Sequence, residues 1–223
     1  MNKLIKRAAV LCAAGTMCLT TLAGCGNGIK SDEVVATVGE DDITLGTANF
    51  FARLQQASYE TYYAGMMGMT GEEMWNQIDE TGNSYEVSVK DGLMDNLTTM
   101  VILRQHASEY NISISDEDKE AIDKAADEFM ASNSEDILDE ISGNKESIEE
   151  LLELMTIQQR MHEAITNEAD VEGVEEEEAA STKENYFNDT VTSWKSESEI
   201  SIDDEAWDKV DFNKIGFTMK EDN

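Results

Sequence analysis

The amino-acid sequence predicts a mainly α-helical fold, with a small N-terminal β-hairpin followed by six or seven helices of unequal length. The chain has no proline in 223 residues and is rich in Glu, Ala, Leu and Met, which favour helices. Apolar residues recur at helical spacing over most of the chain. The one clear β-branched run is Val34–Val38, and residues 39–42 after it are typical of a hairpin turn.

The remaining elements follow from local signals. Ile43 and Thr44 resume the extended chain, and helical spacing starts after Thr44 or Thr47. Thr70 and Glu73 match a capping box, which predicts a short helix. A later helix is predicted from about Val87 to Tyr110, with Asn111 as its left-handed end. Ser115 with Asp118 opens the next one, and Gly143 ends a shorter one. A capping-box match at Ser147–Glu150 falls at or just inside the start of another helix, and a final helix runs from Glu175–Glu178 to near Tyr186–Phe187.

Residues 1–24 are typical of an export signal. They carry three basic residues at the start and no acid, followed by an apolar run that is shorter and more polar than the roughly 20 apolar residues of a membrane helix. Leu22–Cys25 resembles the lipobox of bacterial lipoproteins. This resemblance implies cleavage between Gly24 and Cys25, lipidation of Cys25, and anchoring in the bilayer on the extracytoplasmic face of the cell membrane.

Composition excludes several kinds of chemistry. Cys12 and Cys18 would leave with the signal, so the mature chain would keep only Cys25 and form no internal disulfide. A formal net charge of −32 repels phosphates and excludes nucleic acid as a partner. We expect residues 25–33 to form a flexible tether, residues 34–190 a helical domain and residues 191–223 an irregular acidic tail.

One stretch, residues 59–75, is unusually rich in methionine and aromatic side chains. Methionine is flexible and polarizable, and it is common on surfaces that accept many partners. The stretch therefore predicts either a contact surface for apolar segments of unfolded proteins or a core that fills the space between two helices. The candidate contact residues are Tyr59, Tyr62, Tyr63, Met66, Met67, Met69, Met74 and Trp75.

No motif for catalysis, a cofactor or a metal is present. His106 and His162, the only histidines, both fall inside predicted helices among charged neighbours. The acids at 116–118 lack the alternation and the glycine of an EF-hand loop, and they fit the first turn of a helix. We therefore predict no catalytic residue, no metal site and no cofactor.

Three segments resemble a known family when they are taken in order. They are VVATVGEDDIT, LRQHASEYNISISDEDKEAI, and ISGNKESIEELLELMTIQQRMHEAI leading into DVEGVEEEEAASTKENYF. Together they resemble the chaperone domain of the SurA and PrsA foldases and the helical arms of trigger factor, over about Val34 to Phe187. The resemblance implies a SurA N-terminal-like fold and unfolded or newly exported proteins as partners.

The chain departs from that family after Phe187. Such foldases often continue into a parvulin-type peptidyl-prolyl isomerase domain, whose site is built around histidines. Too few residues follow Phe187 for an independent domain of about 50 residues, and no histidine lies beyond His162. We expect a lipid-anchored chaperone. The alternatives are an isomerase-family member whose catalytic domain is degenerate or missing, with FNKIGFTM as its remnant, and a surface lipoprotein that binds one ligand or envelope partner.

Overall fold

The structure is a computed structural model, and it describes residues 20–21, 29–80 and 82–219, without the side chains of residues 20, 21, 176 and 177. It confirms the predicted class, because the described chain is mainly helical and the predicted N-terminal hairpin is part of a small antiparallel sheet. The signal peptide, apart from the backbone of residues 20–21, and the lipidation residue Cys25 lie outside the described residues.

Two antiparallel sheets are present in the described part of the chain. The strands are β1 (Thr20–Thr21), β2 (Val34–Val38), β3 (Asp41–Thr44), β4 (Ile200–Ile202) and β5 (Phe217–Thr218). The strand β2 lies between β3 and β4, and β1 pairs with β5. The predicted hairpin turns at Gly39, which has a φ of +61°. Such a φ in a two-residue turn favours glycine.

The helices begin at the residues that can cap them. Thr44, Ser84, Ser115 and Asn144 each accept a bond from the backbone three residues on. The α-helices are α1 (Leu45–Ser58), α2 (Gly65–Met67), α3 (Gly71–Trp75), α4 (Tyr85–His106), α5 (Asp116–Ser132), α6 (Glu135–Glu140), α7 (Lys145–Thr166), α8 (Glu176–Glu197) and α9 (Asp204–Trp207), with a π-helical turn at Tyr59–Ala64 and a 3₁₀ turn at Ala107–Tyr110.

The start predicted for α7 is confirmed, with the capping-box match just inside it. Asn144 caps this helix and accepts from Ser147 N at 3.0 Å, so the match at Ser147–Glu150 lies inside it. The capping box at Thr70, the helix start at Ser115 with Asp118 and the left-handed end at Asn111 are confirmed as well.

The irregular tail predicted for residues 191–223 is wrong over its described part. Helix α8 does not stop near Phe187 but continues to Glu197, with Val191 buried. The chain then adds β4 to the sheet and returns to the helices. We call residues 204–219 the arm. Its apolar side chains are buried in the main core: Ala206, Trp207, Val210, Phe212, Ile215 and Phe217.

The end of the predicted tether is also held in place. Leu45 N donates to Glu33 O at 2.6 Å, and Gly46 N donates to Ser31 O at 3.1 Å. The Lys209 ammonium of the arm lies 2.5 Å from the Glu33 carboxylate. Residues 31–33 are therefore fixed against the first helix rather than forming a free linker.

Two hydrophobic clusters lie in the described chain. The larger one joins the sheet, α1, the arm and the inner faces of α4, α5 and α7. The smaller one joins α4, α7 and α8 around Leu103, Met161 and Val191. None of the helices in the described ranges has both the length and the apolar character needed to cross a membrane.

Candidate functional site

The methionine-rich and aromatic stretch forms a tip where α1 passes through its π-helical turn into α2. Single π-helical turns are often found at functional sites. Gly68, with a φ of +68°, ends α2, and Met69 N bonds back to Ala64 O at 3.0 Å. This tight reversal leaves the outer face of the tip in solvent.

The structure divides the eight candidate contact residues into two groups. Four are strongly exposed, and we call them the tip patch: Tyr62 (64% exposed), Tyr63 (48%), Met66 (77%) and Met67 (48%). Met69 and Tyr59 are partly buried against the core. Met74 and Trp75 are completely buried, so the prediction that they contact a client from the surface is wrong.

The buried group packs around an aromatic cluster beneath the tip. The ring of Trp75 stacks on Tyr85 at 5.7 Å between centroids, and it also meets Phe212 of the arm at 4.8 Å. Tyr59 stacks on Tyr63 at 5.1 Å, which connects the cluster to the tip patch. Such ring pairs add stability beyond the area they bury. The exposed tip patch is therefore supported by a well-packed aromatic cluster.

A buried polar stripe runs along the inner face of α1 and into the π-helical turn. Its members, which recur at helical spacing, are Asn49, Arg53, Gln56 and Glu60. The first three are fully buried. Asn49 donates to Glu140 O and to Ser142 Oγ, both at 3.0 Å. The other three bind the arm: Arg53 Nη1 donates to Asp211 O, and Gln56 Nε2 donates to Phe212 O and Ile215 O.

Glu60 completes this stripe as a hydrogen-bond acceptor. Its carboxylate accepts from Trp75 Nε1 at 2.8 Å, from Gln56 Nε2 at 2.7 Å and from Phe217 N at 2.7 Å. Burial raises the pKa of Glu60, while these three bonds and the charge of Arg53 oppose the rise. A carboxylate is thus kept inside the fold to bind a backbone amide.

Arg53 is a buried cation without an ionic partner. Among the described residues no carboxylate lies within 4 Å of its guanidinium, and its Nη2 has no hydrogen-bond partner. The guanidinium lies 5.7 Å from the ring centre of Phe212 and 5.4 Å from that of Phe217. Burial lowers the pKa of Arg53 to about 10, although the surrounding acids raise it.

Sequence reasoning missed both the stripe and the arm. The available signal was a set of polar residues at helical spacing on the same segment as Phe50 and Phe51, where an apolar face was expected. In the arm, charged residues surround Trp207 and Phe212 in the sequence, so the segment was predicted to be an exposed tail. These apolar side chains are in fact buried.

A second feature is a cleft of about 390 Å³ where β3 meets α1 and α7. Apolar side chains and hydroxyl groups line it, and Asp32, Asp42, Glu146 and Glu150 supply carboxylates. Ser147 is 4% exposed and also lines the cleft. Its Oγ makes no hydrogen bond to any residue that the structure describes.

The two histidines are engaged elsewhere. His106 Nδ1 lies 2.9 Å from Glu109, and its ring stacks on Trp194 at 4.0 Å between centroids. His162 Nε2 lies 3.0 Å from Glu184. Within residues 29–80 and 82–219, no group of three or more His, Cys, Asp or Glu side chains is arranged to hold a metal ion.

Comparisons with known proteins give this chain no relative. No family model, no curated protein and no solved structure matches it.

Proposed function

We propose that this protein is a lipid-anchored, extracytoplasmic chaperone that binds unfolded exported proteins through the tip patch. One observation carries the proposal: four large apolar side chains are grouped on the tip and exposed, in a chain with a net charge of −32. Exposed apolar side chains in a group are typical of interaction surfaces.

The chemistry of the patch suits clients without a fixed shape. Met66 and Met67 adapt to irregular apolar surfaces because their side chains are unbranched and polarizable. Tyr62 and Tyr63 offer a large apolar area and a hydroxyl group at little cost in conformational entropy. Contacts of this kind are weak one by one, so a client is held by several of them and is released without any chemical step.

The acidic surface adds a second property. It keeps the chaperone soluble beside an aggregating client and attracts basic client segments at long range. The proposed anchor, Cys25, would hold the protein at the membrane where exported chains emerge. This part of the proposal depends on the lipobox resemblance at Leu22–Cys25 and is tested by labelling cells with a radioactive fatty acid.

The main test is aggregation of a chemically unfolded client that is diluted from denaturant. The protein in excess is expected to suppress light scattering for several unrelated clients, and the double variant Met66→Ser/Met67→Ser should suppress it far less. A further variant, Tyr62→Ser, should have an intermediate effect.

Tyr186→Ser is the matched control. Tyr186 is also an exposed tyrosine, but it lies on α8, outside the patch. Equal activity of the Met66→Ser/Met67→Ser and control variants would contradict the role of the patch. If the wild-type protein suppresses no client, the chaperone proposal itself fails.

Two alternatives predict different results. An isomerase-family protein with residual activity would accelerate X-Pro exchange in a peptide, a reaction that is slow enough to follow without a catalyst. A lipoprotein with a single ligand would use the cleft at β3, α1 and α7, which the unpartnered Ser147 Oγ favours. It would show one saturable partner, and Ser147→Val would weaken that binding.

A further inference from the structure

The arm lies in a groove formed by α1 with its π-helical turn on one side and α4 on the other. Three apolar side chains of the arm fill it: Phe212, Ile215 and Phe217, each at most 2% exposed. The ring of Phe212 lies against Trp75 at 4.8 Å between centroids.

The groove recognises the backbone of the arm more than its polar side chains. Three backbone carbonyls accept bonds from the groove: Asp211 O from Arg53, and Phe212 O and Ile215 O from Gln56. Three backbone amides donate to it: Phe212 N to Glu86, Phe217 N to Glu60 and Met219 N to Thr61. Because every polypeptide carries these groups, they fit a segment of another chain equally well.

Docking of the arm also buries two cations with little or no ion pairing. Arg53 has an unpartnered Nη2, and among the described residues Lys90 has a single ion pair, at 3.8 Å with the exposed Asp208. Both cations face aromatic rings of the arm, with Lys90 Nζ 5.3 Å from the ring centre of Trp207. Opening the arm would return water to both cations, which offsets part of the apolar burial that is lost.

We propose that this groove binds a flexible segment of a client polypeptide, and that residues 211–219 are an internal competitor that must leave first. The proposal rests on the proposed chaperone function and deepens it. The tip patch makes the first contact with the client, and the groove beneath the patch then holds a segment of it when the arm opens.

The arm itself indicates what the groove accepts. The segment has the pattern of Phe212 to Phe217: an apolar residue, two polar residues, an apolar residue, a small residue and a last apolar residue. The first polar residue, Asn213, donates to Glu86 at 2.6 Å. A small residue is favoured at this position because a Cβ on Gly216 would lie 3.1 Å from Glu60 Oε2, so Glu60 would have to shift slightly. A branched residue there would push the segment away from the carboxylate that binds Phe217 N.

The test locks the arm in place. Asn76 Nδ2 and Asn213 Oδ1 are 2.9 Å apart on the surface, so Asn76→Cys/Asn213→Cys can be joined by a short, thiol-cleavable bis-maleimide. The full chain is used with Cys12, Cys18 and Cys25 replaced by Ser. The locked and cleaved forms of this one protein are compared, and the Asn76→Cys single variant treated with the same reagent controls for modification.

The probe is a fluorescent peptide with the sequence of residues 209–219, and its binding is followed by anisotropy. We expect the cleaved form to bind it at least about tenfold more tightly than the locked form. The same peptide with Gly216→Val should bind neither form well. Equal affinity of the locked and cleaved forms, or binding by neither, overturns the inference.

A milder variant avoids any risk of unfolding. Lys209→Ala removes the ion pair with Glu33 that holds the base of the arm but changes no residue of the groove. It should bind the peptide about two- to fivefold more tightly, because a surface pair of this kind contributes little. Lys195→Ala removes a comparable pair between α8 and Asp95 of α4, away from the arm, and should leave peptide affinity unchanged.

The same forms separate this inference from the proposed function. If the locked form suppresses client aggregation as well as the cleaved form does and neither takes up the peptide, the chaperone function stands and the exchange of the arm is overturned. If the cleaved form takes up the peptide but suppresses no aggregation, the groove stands and the chaperone function fails.

Discussion

Two arginines with little exposure, Arg160 and Arg53, are satisfied in opposite ways. Arg160 on α7 makes a two-pronged ion pair with Asp118 on α5, at 2.8 and 2.7 Å, and also donates to Ser113 O. Arg53 on α1 meets only amide and carbonyl oxygens and two aromatic rings. We call each of these contacts, Arg160 with its partners and Arg53 with its partners, a joint. The Arg160 joint is stable in its closed form, because separating it would leave each charge buried without the other. The second joint has no such penalty for opening.

The largest expected effect breaks the closed joint. Asp118→Asn leaves the guanidinium of Arg160 without its counter-charge in a nearly dry site. We expect the free energy of unfolding to fall by about 3 kcal/mol, as measured by urea denaturation. A loss below about 1 kcal/mol would show that this joint is no firmer than a surface pair.

The pH dependence of stability sharpens the same comparison. The bonds from Arg160 and Ser115 lower the pKa of Asp118 from 3.8 to about 2. The folded state therefore binds this proton less readily than the unfolded chain does. The resulting stabilisation, about 2 kcal/mol, is present above about pH 4 and lost as the pH falls towards 2. Asp118→Asn should lack this part of the acid transition, which parallel urea titrations at several pH values would detect.

Arg53→Met is expected to have a much smaller effect than Asp118→Asn. It removes the hydrogen bonds to Asp211 O, Gln56 and Asn49, but it also removes the cost of burying an unpaired cation. We expect a change of no more than about 1 kcal/mol in either direction by urea denaturation. A loss as large as that of Asp118→Asn would mean that the two joints are equivalent after all.

The smallest effect concerns Glu60, which accepts Phe217 N from the arm. Because burial raises its pKa, the folded state binds this proton more readily than the unfolded chain does. Its contribution to stability is therefore greatest below the ordinary value of 4.5 and declines as the pH rises through the raised pKa. Glu60→Gln should flatten this change above pH 4.5, and hydrogen exchange at the Phe217 amide would follow it locally.

The sequence predicted the elements whose signals are local. Thr44, Thr70 and Ser115 start helices where their side chains can cap them, and Asn111 ends a helix in the left-handed region, because these choices depend on a few neighbouring residues. The hairpin at Gly39 is predictable for the same reason.

The missed features depend on contacts between distant parts of the chain. Strand β4 is short and partly polar, and it becomes a strand only because β2 offers it a free edge. The arm resembles an acidic tail until Arg53, Gln56 and Glu60 supply partners for its backbone. The candidate site was predicted only in part, since spacing alone does not tell which side of the tip faces the core. Tyr62 and Met66 proved to be exposed, whereas Met74 and Trp75 proved to be buried.

The position of β4 beside β2 also constrains the order in which the molecule can fold. Ala36 pairs with Ile202, and every long helix lies between them in the chain. A chain that emerges from the ribosome N-terminus first must therefore keep one edge of β2 unpaired until β4 has been made. Contacts between such distant residues slow folding, because a long loop must close before they form. An open strand edge is in the meantime a template for pairing with other chains. This protein is thus itself most prone to aggregate before β4 emerges.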